Sequence, residues 1–162
     1  PSRFYLYTIK RMPLLPVPNH PPREPGECLA ACAAMALEFL NLPVDYDKLV
    51  TQLHIRHKVG APFRNLRSLE LLGVKVIIEH GELDALHACL DRGLPPITLV
   101  DTAQLSYWHE TTAHAVVVVG IDGDSIHLND PAFHDAPKII SIREFELAWI
   151  DLDQFYAIVQ LE

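Results

Sequence analysis

Four consecutive valines, Val116 to Val119, sit inside a segment from Thr111 to Ile121 that reads as a strand. A continuous apolar run has no face for solvent, so this strand suits the interior of a sheet covered on both sides. Asp122-Gly123 marks a hairpin after it, and Ser125 to Asn129 returns as the next strand, ending at Asp130-Pro131. His114 lies within the first of these strands.

Upstream, Glu27-Cys28-Leu29-Ala30-Ala31-Cys32-Ala33-Ala34-Met35-Ala36-Leu37-Glu38-Phe39-Leu40 is built from strong helix formers, and Pro25-Gly26 breaks any structure before it. The helix is therefore expected to begin near Cys28. Unpaired N–H groups and the helix macrodipole place partial positive charge at that end and favour thiolate over thiol. A free cysteine titrates near about 8.5, and a helix N-terminus with a cationic neighbour lowers this by several units. Cys28 is thus a candidate nucleophile. Cys32, one turn further in among alanines, reads as a small core hydrophobe.

The rest of the chain fills in around these segments. Phe4 to Ile9 reads as an edge strand, and six prolines between Pro13 and Pro25 impose an extended connector that delivers the chain to Cys28. Asn41-Leu42-Pro43 ends the Cys28 helix, and Asp45 offers an N-cap for a second helix through Leu53. Phe63, Leu66, Leu69 and Leu72 recur every three residues in a third helix from Pro62 to Leu72, with Gly73 as its stop. Val74 to Glu79 reads as a strand, Glu82 to Arg92 as a helix and Pro96 to Asp101 as a strand. A short helix from Ser141 through Trp149 and a last strand from Gln154 to Gln160 complete the order. The expected class is α+β, with N-terminal helices packed on a mostly antiparallel C-terminal sheet; residues 1–21 form the N-terminal strand and connector, and 22–162 the main domain.

Composition excludes several functions. With 162 residues the chain is long enough to bury a core without crosslinks, and its 13 basic against 21 acidic residues argue against nucleic-acid binding. No run approaches the roughly 20 apolar residues needed to cross a bilayer, and residues 1–18 make a poor secretory signal. The three cysteines match neither a disulfide framework nor a CxxC pattern and read as reduced thiols; a cytoplasmic location is favoured. His54 and His57 lack a further ligand at metal spacing, and His87 and Cys89 do not face each other on a helix. No metal or cofactor is called for.

Whether His114 meets Asp130 depends on strand register. A loop of two residues at the hairpin, pairing Ile121 with Asp124, would put Asp130 opposite Ala115, on the face away from His114. A loop of three, pairing Ile121 with Ser125, sets Asp130 opposite Val116 and makes it a diagonal neighbour of His114. With that register a carboxylate fixes the imidazole while its other nitrogen serves the thiol, which is acyl-transfer chemistry. The plainer alternatives are a hydrogen-bonded core histidine and a turn aspartate.

Glu-Cys-Leu-Ala-Ala-Cys-Ala-Ala-Met, followed far downstream by Ala-His-Ala-Val-Val-Val-Val-Gly-Ile-Asp and Asn-Asp-Pro, resembles the papain-like cysteine peptidases that process bacteriocin leaders, and related stand-alone domains. The likeness spans roughly residues 22 to 161. It implies a papain-like fold, with Cys28 as nucleophile, His114 as general base and Asp130 as the residue orienting it. It also implies a peptide or protein substrate cleaved after a Gly-Gly pair, and an oxyanion hole with a glutamine six residues before the cysteine. This chain has Pro22 there; Asn19 and His20 are the nearby candidates for the missing donor. Two readings follow: a cysteine peptidase, or a peptide-binding module on the same fold that has lost turnover, for which Pro22 is the hint.

Overall fold

The computed structural model describes residues 14–21 and 24–162. The expected edge strand at Phe4 to Ile9, and Pro22, lie outside the described residues. Helix α1 (Cys28–Phe39) begins at the cysteine, as its composition dictates, and is buried from Leu29 to Leu37. It contacts α2 (Tyr46–Gln52), whose N-cap Asp45 accepts a hydrogen bond from the Lys48 amide, closing one orphan donor of its first turn.

The third helical segment, Phe63–Leu72, is a 3₁₀ helix ended by Gly73 at φ 88°. Three residues per turn stack Phe63, Leu66 and Leu69 in one buried line. The three-residue spacing in the sequence is this period. Leu72 departs from the expectation: it is half exposed, and its neighbour Leu71 is 84% exposed.

Strands β1 (Val74–His80), β2 (Ile97–Asp101), β3 (Ala113–Asp122), β4 (Ser125–Asn129), β5 (Lys138–Ser141) and β6 (Phe155–Leu161) form a six-stranded antiparallel sheet in the order β1-β6-β2-β3-β4-β5. Helix α3 (Leu83–Asp91) connects β1 to β2, and α4 (Ile142–Ile150) follows β5, capped by the Ser141 hydroxyl on the Glu144 amide. The class is α+β, as the element order predicts. Strand β5 was not anticipated: it is four residues long and follows a proline.

β3 is buried from His114 to Ile121, as its valine run requires, and it contacts both α1 and α3. At its far end Asp122 pairs with Ser125 across a two-residue turn, Gly123-Asp124. Ile121 pairs with Ile126, not with Asp124 or Ser125. A bulge at Val119 then moves the register by one, so that Val118 meets Leu128 and Val117 meets Asn129. The carbonyl of Val119, left without a β4 partner, accepts a 2.8 Å hydrogen bond from the Leu15 amide. Leu15 and Val17 are buried here, and the Asn129 side chain holds the Val17 carbonyl at 2.9 Å.

Candidate active site

Cys28 is the first residue of α1, and Glu27 before it makes no side-chain cap on the helix. The Glu27 carboxylate is turned back instead, accepting from the Glu24 amide at 3.1 Å and from the Tyr46 hydroxyl at 3.4 Å. The first turn of α1 also carries no acidic residue. No side-chain carboxylate therefore competes with the thiol for the N–H groups and dipole at this end.

Register continued past the bulge sets Asp130 opposite Val116 and two residues from His114, the placement the triad geometry needs. His114 Nε2 lies 2.6 Å from Asp130 Oδ1, with both groups buried. Because Asp130 takes Nε2, Nδ1 is the nitrogen left to serve Cys28, and the two residues line one cavity. All three predicted residues are thus brought to one place.

Electrostatics follow from this arrangement. Burial raises the Cys28 pKa, but the hydrogen bond and charge of His114, with backbone groups of Ala115 and Leu29, outweigh it and hold the thiol below its ordinary value. Burial opposes charge on His114 too, yet the hydrogen bonds to Asp130 and Cys28 raise it to about 9. Burial opposes charge on Asp130, but the hydrogen bond and charge of His114, with the bonds from Trp108 and the Ala132 amide, together hold it low. Cys32, fully buried and near two anions, is pushed well up. Cys28 and Cys32 therefore differ as their positions on the helix predict.

Two residues not singled out in the sequence complete the surroundings of Asp130. Tyr107 donates its hydroxyl and Trp108 its Nε1–H to Asp130 Oδ2, each at 2.9 Å. The Trp108 ring meets His114 edge-on at 4.7 Å. The available signal was a Tyr-Trp pair, two apolar bodies with polar handles, in the mostly polar loop between β2 and β3.

Two cavities meet at Cys28. One, about 270 Å³, is walled by Leu29, Val59, Phe63, Leu99 and Ala115. The other, about 310 Å³, carries Glu24, Glu27, Lys58, Glu110 and His114. Val59 and Gly60, from the tight turn Arg56–Gly60, line both. A larger, more open cavity of about 680 Å³ lies between α2 and the 3₁₀ helix, lined by Asp45, Gln52 and Leu71 among others, and holds none of the three residues.

Neither candidate for the missing oxyanion donor faces Cys28 in these contacts. The Asn19 side-chain amide donates to the Phe133 carbonyl at 2.9 Å, and His20 pairs with Glu38 at 2.7 Å. Among the described residues, no group of three or more His, Cys, Asp or Glu is arranged to hold a metal ion, and no helix is long and apolar enough to cross a membrane.

Solved structures with the same fold include a protein described as a C39-like peptidase from Bacillus anthracis, 17% identical, covering 94% of this chain and 98% of that one at TM-score 0.77. A double glycine motif protease from an AMS/PCAT transporter, in complex with its leader peptide, is 21% identical over 96% of each chain at TM-score 0.72. The peptidase domain of Streptococcus ComA, a bi-functional ABC transporter involved in a quorum-sensing pathway, is 16% identical, covering 89% of this chain and 98% of that one at TM-score 0.73. No curated protein sequence matches the chain. The profile of the Peptidase_C39 like family matches residues 10–156, so the chain belongs to that family of peptidases.

Proposed function

We propose that this protein is a cysteine peptidase in which Cys28 is the nucleophile, His114 the general acid–base and Asp130 the residue that orients His114. The observation that carries the proposal is the buried 2.6 Å hydrogen bond between His114 and Asp130 beside a cavity that His114 lines together with Cys28. Cys28 Sγ, as thiolate, adds to the carbonyl carbon of a peptide bond, and the Cys28 backbone N–H at the start of α1 supports the oxyanion. The His114 imidazolium gives its proton to the leaving amine, and a thioester forms. Water then attacks the thioester while His114 takes its proton; the C–S bond breaks and the carboxylic acid product leaves.

The substrate we infer is a peptide or protein segment, with a glycine-containing leader as the first class to test, because a structural relative is a double glycine motif protease held with its leader peptide. A second reading, a peptide-binding module with little turnover, is favoured by Pro22, which stands where the resemblance implies an oxyanion-hole glutamine. Losing one such donor costs about a hundredfold or more in rate. The experiment is incubation of the protein with peptides carrying Gly-Gly and other internal sites, read by mass spectrometry beside Cys28→Ala. Cleavage lost in the variant supports the peptidase. Binding by both proteins without any cleavage favours the module.

A further inference from the structure

We propose that Tyr107 and Trp108 are positioning residues for this site: together they clamp the Asp130 carboxylate so that Oδ1 stays aimed at His114 Nε2. The inference rests on the triad reading above and extends it to the loop between β2 and β3.

An ionised carboxylate has about four lone-pair directions. At Asp130 all four are taken. Oδ1 accepts from His114 at 2.6 Å and from the Ala132 amide at 3.0 Å, while Oδ2 accepts from Tyr107 and Trp108 at 2.9 Å each. Rotation about the Cβ–Cγ bond breaks both sets together, and with 1% exposure water has no access to replace them.

The chemistry of the donors matters as much as their number. Tyr107 and Trp108 are neutral, so they solvate the anion without cancelling the charge that supports the His114 imidazolium; a lysine or arginine in their place would compete for it. The nearby cation, Lys138, is paired with Asp135 at 2.7 Å and rests over the Phe133 ring at 4.5 Å. Phe133 meets both Tyr107 and Trp108 edge-on, at 5.1 and 5.5 Å, closing the apolar side of the cluster.

The loop itself is tied down at both ends. Buried Thr102 closes its base, donating to the Glu110 carbonyl at 2.7 Å and accepting from the Thr112 amide at 2.8 Å. Gln104 bonds Asp151 at 3.1 Å and the Ser106 amide bonds Glu144, anchoring the outer part near α4.

The test compares Tyr107→Phe and Trp108→Phe, which remove one donor each while keeping a ring against Phe133, with Phe133→Leu, which disturbs packing and leaves both donors. Two readouts are taken: the low-field proton resonance of His114 Nε2–H, which reports the bond to Asp130, and kcat and KM for a cleaved peptide. Each donor variant is expected to shift or broaden the resonance and to lower kcat about tenfold with KM little changed, the size of one hydrogen bond to a charged group. Phe133→Leu is expected to leave the resonance in place. An unchanged resonance and kcat in both donor variants of an active parent overturn the clamp alone. A parent whose Cys28 alkylates without dependence on His114 overturns the triad reading, and with it any catalytic purpose for the clamp.

Discussion

His114 Nε2 and Asp130 Oδ1 stand 2.6 Å apart because β3 carries a bulge between them and the hairpin turn. From the turn, Asp122 meets Ser125 and Gly120 meets His127. Carried on unchanged, that register would set Asp130 opposite Val117 and send its side chain to the face away from His114. The extra residue, Val119, corrects this by one position. The bulge is therefore part of how the site is built, and the Leu15 amide satisfies the carbonyl it leaves unpaired.

Asp130→Asn is expected to lower kcat about a thousandfold or more, by loss of the correct histidine tautomer and of the charge that supports the imidazolium. The direction of the accompanying pH effect is fixed. Burial lowers the His114 pKa and Asp130 is the main group raising it to about 9, so the alkaline limb of activity moves to lower pH in the variant. A pH–rate profile of both proteins checks this; coincident alkaline limbs would contradict it.

Stability should carry the same signature once the thiolate is removed. In a Cys28→Ala background Asp130 remains to hold the His114 imidazolium against burial, and the folded pKa is expected to stay above the unfolded value of about 6.5. The stabilisation is complete below that pH and is lost as pH rises through the folded value. Asp130 has the opposite sign: held below 3.8, it contributes above that pH and its share is lost as the solution is acidified further. Tm of Cys28→Ala should decline above about pH 6.5, and Cys28→Ala/His114→Leu should lack that decline. Parallel Tm curves would contradict the prediction.

Gly26→Ala tests the approach of the chain to Cys28. Gly26 has φ 89°, and a Cβ there would lie 3.0 Å from the backbone nitrogens of both Lys58 and Val59. The positive φ alone costs about 1–3 kcal/mol, and the close contact displaces the Arg56–Gly60 turn that lines both cavities at Cys28. Reduced stability in urea together with a raised KM is expected; parent-like values of both would refute the account.

Much of this was legible in the sequence, for identifiable reasons. The cysteine at the start of α1 followed from Pro25-Gly26 and the alanine run, and the line of Phe63, Leu66 and Leu69 from their three-residue spacing. The bulge was not legible. An unbroken valine run has no inside–outside alternation, so a one-residue slip leaves no mark on it. The meeting of His114 and Asp130 was inferred through a longer turn, whereas the chain combines a two-residue turn with a bulge. β5 escaped because four residues after a proline carry too little pattern. Tyr107 and Trp108 escaped because a loop's contacts depend on tertiary placement, which spacing does not encode.

The pH dependence of Cys28 alkylation in the parent and in His114→Ala tests the central claim most directly. The account predicts a thiolate that forms below the ordinary cysteine range in the parent, where His114 holds it low, and that returns toward about 8.5 or above in the variant, where only the backbone groups of Ala115 and Leu29 oppose burial. One ordinary thiol pKa, the same in both proteins, would contradict it.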